Sequence, residues 1–281
     1  MTENDVQVFE EVCRKFDAND HLQALQELRD LASRIADPWE RAELNYHEIM
    51  FLVGIHSVPE ARQRLEDLKR VLASLIKSPS DGYEIGSQFS LPVMARNAEV
   101  RVTIEEGKEP EALRLIEDFV SRYPKQLSLP DFRPIVEEIA TLRGVLLANA
   151  GRWADARPFL EQTSPPKAWK AQHCYYLGRC CYEFREYERA RDKLVEALNL
   201  GLDANEGGMA HYVLGIVEYH LSDMNAAKRQ FELSLKTADP AYLGHLIWEW
   251  LEATSRALGL QAEAENYRRL KDGSPPKSKV N

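Results

Sequence analysis

A small alanine that recurs along the whole chain constrains its fold more than any other feature. Seven copies are present, and residues that are mostly apolar follow each alanine four and seven positions later. The alanines are Ala24, Ala61, Ala112, Ala156, Ala190, Ala227 and Ala264. Successive alanines are 37, 51, 44, 34, 37 and 37 residues apart. A repeat of this size, sustained along a chain, is typical of stacked structural units that each contact their neighbours.

Each alanine stands in an amphipathic helical pattern, because apolar residues at i, i+4 and often i+7 share one face of an α-helix. Twelve residues earlier, a glycine occurs in three copies, as Gly144, Gly178 and Gly215. A glycine inside a helix costs about 1 kcal/mol relative to alanine, so it favours a place where two backbones approach closely. The pattern therefore predicts an all-α chain of antiparallel helix pairs that cross tightly at glycine and alanine.

The spacing resembles that of the tetratricopeptide repeat, whose pattern is W-x2-L-G-x2-Y, then A-x3-F, then P. A copy that begins at Ala171 matches this pattern with Cys174, Leu177, Gly178, Cys181, Ala190, Leu194 and Ala197. A copy that begins at Gly208 matches it with His211, Leu214, Gly215, Ala227, Phe231 and Ser234. The signature is clearest over 137–240 and fades in the first two copies and the last. The resemblance implies a right-handed superhelical solenoid of about seven antiparallel helix pairs.

Two long steps between alanines predict insertions. The 51-residue step contains turn-forming residues from Ser78 to Pro92, and the 44-residue step contains three prolines between 124 and 134. We therefore expect degenerate helix pairs over 1–76, a loop over 77–92 and tetratricopeptide-like repeats over 93–271. Residues 272–281 have the composition of a disordered tail.

Composition and charge narrow the function classes. The formal net charge of −9 argues against a general binder of nucleic acid or anionic membranes, because such binders neutralise phosphate. The N-terminus is acidic without an apolar stretch behind it, and no apolar run approaches the length of a membrane span. Four cysteines do not form a disulfide framework. We expect a cytoplasmic protein.

No complete catalytic or metal-binding motif is found in the sequence. His47-Glu48 begins a zinc-protease motif, but Phe51 stands where the second histidine is needed. The segment Asp203–Gly207 begins like a calcium loop, but its twelfth position is Leu214. A cluster of His173, Cys174, Cys180 and Cys181 suggests zinc, yet Cys174 and Cys181 fall on packing positions of the repeat. We expect no catalytic residue, no metal and no cofactor.

The resemblance implies a binding surface. In this family, positions 2, 5, 9 and 12 of each copy face a concave groove, and a peptide or a partner helix occupies it. The peptide-binding residues predicted in this way are Gln172, Tyr175, Arg179, Tyr182, Met209, Tyr212, Ile216, Tyr219 and Glu249. Tyrosine and arginine are favoured at protein interfaces, since they offer a large contact area. The alternative is that these tyrosines pack between neighbouring repeats.

The leading functional hypothesis is a protein-interaction scaffold that binds a protein or peptide partner. Members of the family that grip a C-terminal carboxylate use lysine, asparagine and arginine, but the matching positions here carry Thr141, Val145, Tyr175 and Arg179. That subtype is therefore not predicted. A second hypothesis is self-assembly into a homo-oligomer, in which Trp248 and Trp250 of the weak last repeat lie at an interface.

Overall fold

The computed structural model describes residues 1–77, 85–163, 165, 169–237 and 240–273, and every regular element within these residues is helical. The α-helices are α1 (Glu3–Asp17), α2 (His21–Arg34), α3 (Pro38–Gly54), α4 (Val58–Lys77), α5 (Ile85–Glu105), α6 (Glu109–Arg122), α7 (Pro124–Leu127), α8 (Arg133–Asn149), α9 (Trp153–Gln162), α10 (Lys170–Glu183), α11 (Tyr187–Leu200), α12 (Ala204–His220), α13 (Met224–Thr237), α14 (Pro240–Ala257) and α15 (Gln261–Asp272). A short 3-10 helix, Pro130–Phe132, lies between α7 and α8. The predicted all-α helical-repeat fold is confirmed.

The described residues form seven helix pairs, and the second helix of each pair carries one of the seven alanines. The pairs are α1–α2, α3–α4, α5–α6, α8–α9, α10–α11, α12–α13 and α14–α15. Every one of the seven alanines is fully buried or nearly so. A small side chain at this position lets the second helix lie close to the first. Because each pair has one such alanine, the number of residues between successive alanines equals the length of each repeat.

The turn between the two helices is the same in all seven pairs. Five residues before each alanine, the backbone adopts a left-handed conformation, with φ between 57° and 77°. The residues at this position are Asn19, His56, Gly107, Gly151, Arg185, Ser222 and Gly259. The next residue donates its backbone N–H to the carbonyl oxygen five positions earlier, at 2.8–3.1 Å. This hydrogen bond and the left-handed residue form a Schellman cap, which satisfies carbonyls at the end of the first helix.

The glycines of the repeat mark close helix crossings, as the sequence predicts. A Cβ atom built on Gly178 would lie 2.8 Å from Leu194 Cγ, and one built on Gly215 would lie 2.6 Å from Phe231 Cε1. In each pair the glycine faces the residue four positions after the alanine rather than the alanine itself. Gly144 follows the same rule and faces Leu160.

The chain divides into two units, Met1–Ile139 and Ala140–Asn281. The core of the first unit contains Leu28, Ile49 and Leu65, with Phe16 and Met50 packed against it. In the second unit, the apolar cluster around α12–α14 contains Ile216, Phe231, Ile247 and Leu251. No helix among the described residues is long and apolar enough to span a membrane.

The predicted loop over 77–92 is wrong in its second half. Helix α4 ends at Lys77, residues 78–84 lie outside the described residues, and α5 begins at Ile85 and includes Pro92. The prediction of one continuous loop relied on the turn-forming residues at one end of the segment and on a proline at the other. A proline removes only its own N–H from the helix ladder, so a long helix can contain one at a local cost.

The second insertion contains regular structure, with α7 and the 3-10 helix placed before α8. At the C-terminus, α15 ends at Asp272, so the first residue of the predicted disordered tail is helical. Residues 274–281, the rest of that tail, lie outside the described residues.

Candidate functional site

The first helices of the pairs in the second unit form a continuous layer. Helix α10 contacts α12, and α12 contacts α14, whereas the second helices α11 and α13 each pack between successive first helices. Residues at equivalent positions of α10, α12 and α14 therefore come together on the side where the first helices meet. This side carries the side chains that the sequence assigned to a groove.

The nine predicted groove residues differ in accessibility. Tyr175 and Ile216 are only 3% and 5% exposed. Their side chains belong to the helix core, so for these two the expectation of an accessible lining residue is wrong, and the packing alternative describes them. Partly exposed residues are Gln172, Arg179, Tyr182, Met209, Tyr212 and Tyr219, and Glu249 is exposed.

Arg179 is fixed by aromatic rings of its own unit. Its guanidinium carbon lies 5.0 Å from the ring centre of Trp153 and 5.6 Å from that of Tyr175. Its Nη1 also donates to the Tyr175 hydroxyl at 3.3 Å. Burial raises the pKa of Tyr175. Cation–π contacts of this kind hold the guanidinium group between α9 and α10. A partner would therefore have to compete with these contacts to bind Arg179.

Gln172 joins two successive first helices. Its Nε2 donates to Glu206 Oε1 at 2.6 Å, from α10 to the first turn of α12. Burial raises the pKa of Glu206, and the hydrogen bond from Gln172 opposes that shift. Asp203 caps the same helix by accepting from the backbone N–H of Glu206 at 2.8 Å. The amide of Gln172 is thus held in place at the start of α12.

Four rings lie on the first-helix side, and we call Tyr182, Tyr212, Tyr219 and Trp250 the aromatic strip. All four are partly exposed and pack against the apolar cluster of α12–α14. The ring centres of Tyr219 and Trp250 are 5.2 Å apart at an interplanar angle of 69°. The strip draws on three consecutive first helices: α10, α12 and α14.

Phe231 supports the aromatic strip from behind. It is fully buried on α13, its ring stacks on Trp250 with centres 5.9 Å apart, and its centre lies 6.3 Å from that of Tyr212. Burial raises the pKa of the Tyr212 hydroxyl, and the neighbouring Trp250 side chain lowers it. The space for Phe231 exists because Gly215 has no Cβ. The helix crossing and the strip are therefore parts of one arrangement.

Sequence reasoning missed Trp250 and Phe231 as parts of this surface. Trp250 was assigned only to a hypothetical assembly interface, and Phe231 only to the repeat signature. The alignment of the repeat copies contains a signal for Phe231, because Phe231 follows Gly215 by 16 residues, as Leu194 follows Gly178. An aromatic residue at that position must extend beyond the crossing towards the next first helix.

The cluster of His173 and three cysteines packs as the repeat positions suggest. Cys174, Cys180 and Cys181 are buried, and burial raises the pKa of each thiol, that of Cys180 to about 11. Burial also lowers the pKa of His173. Protonated thiols are poor nucleophiles and poor metal ligands. No group of three or more metal-ligating side chains converges within the part of the chain that the structure describes.

The equivalent side of the first unit is closed by polar residues. Asn97 is fully buried, and its Nδ2 lies 3.3 Å from the Tyr46 hydroxyl and 3.2 Å from Glu138 Oε2. Arg101 Nε lies 3.5 Å from Glu138 Oε1. Burial raises the pKa of Tyr46 to about 12 and lowers the pKa of Arg101. Counting back 15 residues from Ala61 and Ala112 gives Tyr46 and Asn97, so the repeat register could have found this polar cluster.

Comparison with known proteins supports the fold. Neither protein-family models nor curated proteins give a match. Among solved structures, a signal-transduction ATPase with a tetratricopeptide repeat sensor from Pyrococcus horikoshii gives a TM-score of 0.59 at 12% identity, covering 96% of this chain and 42% of that one. The apo form of RapI gives 0.55 at 13% identity, covering 98% and 78%. PilF of Pseudomonas aeruginosa gives 0.54 at 13% identity, covering 85% and 96%. The chain has a helical-repeat fold of the tetratricopeptide type.

Proposed function

We propose that this chain binds another protein through the aromatic strip of its second unit and performs no chemistry of its own. The observation that carries the proposal is the accessibility of the strip. Three tyrosines and a tryptophan from α10, α12 and α14 stay partly exposed on one side, although the neighbouring Tyr175 and Ile216 are buried. The occupant is a peptide or a helix of the partner, laid across the first helices.

Tyrosine and tryptophan suit such a surface for physical reasons. Each presents a large ring with few rotatable bonds, so a partner gains contact area at a modest cost in side-chain entropy. Trp250 is further restrained by stacking on Phe231 and by its edge contact with Tyr219. A surface that is ordered before binding loses less entropy on association, which favours affinity.

The self-assembly hypothesis gains no support from the last pair. Helix α15 covers one side of α14, and most of its outward positions are polar, including Gln261, Glu263 and Arg268, although Leu270 is 43% exposed. A terminal helix with a polar outer face acts as a cap in helical repeats. Trp248 and Trp250 are both partly buried against the apolar cluster of their own unit.

The proposal is tested by comparing partner capture by two variants. Tyr182→Ala with Tyr219→Ala removes two rings of the aromatic strip. Leu233→Ala removes an apolar side chain of α13 that is 38% exposed. We expect the double variant to lose at least about tenfold in captured partner from the native cell, since interface aromatic residues each contribute more than about 1 kcal/mol. The Leu233 variant should capture as the unaltered chain does.

Folding is checked by far-ultraviolet circular dichroism and by thermal unfolding of each variant. Equal capture by the double variant and the unaltered chain, with helicity intact, would remove the aromatic strip as the binding surface. Equal loss in both variants would show that capture depends on general surface hydrophobicity instead.

A further inference from the structure

Three positive charges on or near the first helices of the strip are already engaged within the chain. Arg179 lies over the Trp153 ring, as described above. Arg256 Nη2 lies 2.6 Å from Glu252 Oε1, and Lys271 Nζ lies 2.7 Å from Glu252 Oε2. Two cations thus converge on one carboxylate that is almost fully buried. None of these three cations is available to a partner without the loss of an existing contact.

Glu249 and Glu252 both belong to α14, but they differ in exposure and in ion pairing. It is exposed, and no cation among the described side chains lies within ion-pair distance of it. The charge of Glu249 contributes to the raised pKa of Lys271, but the ammonium group of Lys271 forms its ion pair with Glu252. Glu183, at the end of α10, is also exposed and acts on the neighbouring Tyr182. Two exposed carboxylates, Glu183 and Glu249, therefore lie on the helices that carry the strip.

The electrostatic surroundings of Tyr212 include both Tyr182 and Glu249. Burial raises the pKa of Tyr212, and Tyr182 and Glu249 raise it further, whereas the Trp250 side chain lowers it. No cation of the described residues contributes to this shift. Tyr182 and Tyr212 pack against the same apolar cluster, α12 contacts α14, and Tyr212 and Glu249 hold the same repeat position, so these three side chains lie on one side of successive first helices.

We propose that the segment bound by the aromatic strip carries a lysine or arginine flanked by apolar side chains. The cation lies between Tyr182, Tyr212 and Glu249, and the apolar side chains pack on Met209 and Trp250. Ring faces attract a cation through their quadrupole, and a carboxylate beside them adds a direct charge contact. This inference rests on the proposed function, because it specifies the chemistry of the partner for the same surface.

The test uses a random library of 16-residue peptides, selected on the full-length chain and in parallel on two variants. On the unaltered chain we expect selected peptides to share a lysine or arginine beside leucine, isoleucine or phenylalanine. On Glu249→Gln, which keeps shape and removes charge, the same peptides should bind about five- to tenfold more weakly. On Tyr182→Ala with Tyr219→Ala, binding should be lost.

The outcomes separate this inference from the proposed function. If no selected peptide depends on Tyr182 and Tyr219, the proposed function fails. If selected peptides depend on those tyrosines but lack a shared basic residue, or bind Glu249→Gln unchanged, the surface stands and the inference is overturned. Glu263→Gln serves as the charge control, since Glu263 is an exposed carboxylate of α15 that pairs with Lys228. It should leave affinity unchanged.

A charge exchange gives a positive test. Glu249→Lys should weaken the best lysine-containing peptide by about tenfold or more, and a peptide with glutamate in place of that lysine should recover most of the loss. Failure of the recovery would overturn the direct contact.

The segment after α15 contains Lys277 and Lys279, so a variant without them tests whether this segment competes with the peptides. Peptide affinity that rises tenfold in Lys277→Ser with Lys279→Ser would identify the tail as the occupant and overturn a separate partner. Unchanged affinity supports a separate partner.

Discussion

The helix pairs of the two units share one turn and one alanine register but differ at the crossing. In the first unit the crossing position carries Val12, Ile49 and Val100, all fully buried. In the second unit it carries glycine in three successive pairs, and in α10–α11 and α12–α13 the two helices lie close along most of their length. The comparison shows that the turn and the alanine define the repeat, whereas the glycine sets how closely the helices approach.

The first-helix side of each unit shows a second difference at matching positions. The fifth position of the repeat is Tyr46 and Asn97 in the first unit, and both are buried in a polar cluster. The same position is Tyr212 and Glu249 in the last two pairs of the second unit, where both stay accessible. One scaffold thus supports a closed polar cluster and an open aromatic surface. Tyrosine holds this position both in buried Tyr46 and Tyr175 and in the accessible Tyr212, so the neighbouring side chains decide which of the two forms.

The largest expected effect is on the polar cluster of the first unit. Glu138→Ala removes the carboxylate that faces Arg101 and accepts from Asn97. This ion pair is mostly but not fully buried, so its loss should cost up to about 3 kcal/mol in the free energy of unfolding. Native-state hydrogen exchange measured by mass spectrometry should show faster exchange in α3 and α5, with α12 and α13 unchanged.

Glu137→Ala is the matched control for Glu138→Ala. Glu137 is the preceding residue on the same helix and pairs with the exposed Arg133, so its removal should cost a few tenths of a kcal/mol. A Glu138→Ala variant as stable as its control would contradict the closed polar cluster.

A smaller effect is expected from pH, and it should also separate the units. Burial beside Phe9 and Tyr46 lowers the pKa of His47 to about 4. Above pH 6.5 the imidazole is neutral in both states, so its contribution is fully present. Between pH 6.5 and 4 the unfolded chain binds a proton that the folded chain does not, so the free energy of unfolding falls by about 2 to 3 kcal/mol. Carboxylates titrate nearby, so His47→Phe provides the reference.

The measurement for His47 is urea unfolding at pH 7 and pH 4.5, followed by hydrogen exchange in the first unit. The unaltered chain should lose more stability between these two pH values than His47→Phe does. An imidazole that titrates near pH 6.5 by nuclear magnetic resonance would refute the lowered pKa.

The glycine crossing of the second unit is tested by two substitutions in one helix. Gly215→Ala places a Cβ 2.6 Å from Phe231 Cε1, and the overpacking should exceed the gain in helix propensity, for a net loss of about 1 to 2 kcal/mol. Gly207→Ala meets no atom within 4 Å, so it should stabilise α12 by a few tenths of a kcal/mol. Thermal unfolding that shifts in the same direction for both variants would show that the crossing is loose.

Gly215→Ala should also weaken partner binding, although it lies outside the aromatic strip. Displacement of Phe231 moves the ring on which Trp250 stacks. Gly207→Ala should leave binding unchanged.

The number of pairs, the second helix of each pair and the crossings at Gly144, Gly178 and Gly215 could be predicted from the sequence. They depend on the number of residues between repeat positions, and this number stays the same where the residues of individual copies differ. The start of α5 could not, because Pro92 and the turn-forming residues before it suggested one continuous loop. Nor could the burial of Tyr175 and Ile216, which depends on packing against neighbouring helices. The three tyrosines of the aromatic strip could be predicted from their repeat positions. Trp250 could not, because its place in the strip depends on stacking against Phe231 of α13.

The smallest expected effect concerns the turn that both units share. Arg185 is exposed and adopts φ 59°, a conformation that costs a non-glycine residue about 1 kcal/mol, whereas the equivalent Gly107, Gly151 and Gly259 avoid that cost. Arg185→Gly should therefore raise the free energy of unfolding by up to about 1 kcal/mol, after the entropy that glycine adds to the unfolded chain. Arg185→Ala keeps the unfavourable φ and should bring no gain. Gly151→Ala has open space around its Cβ and should lose about 1 kcal/mol from φ alone. Equal stability of the glycine and alanine variants at 185 would mean that the left-handed residue does not set the turn, and the feature common to both units would then be the alanine register alone.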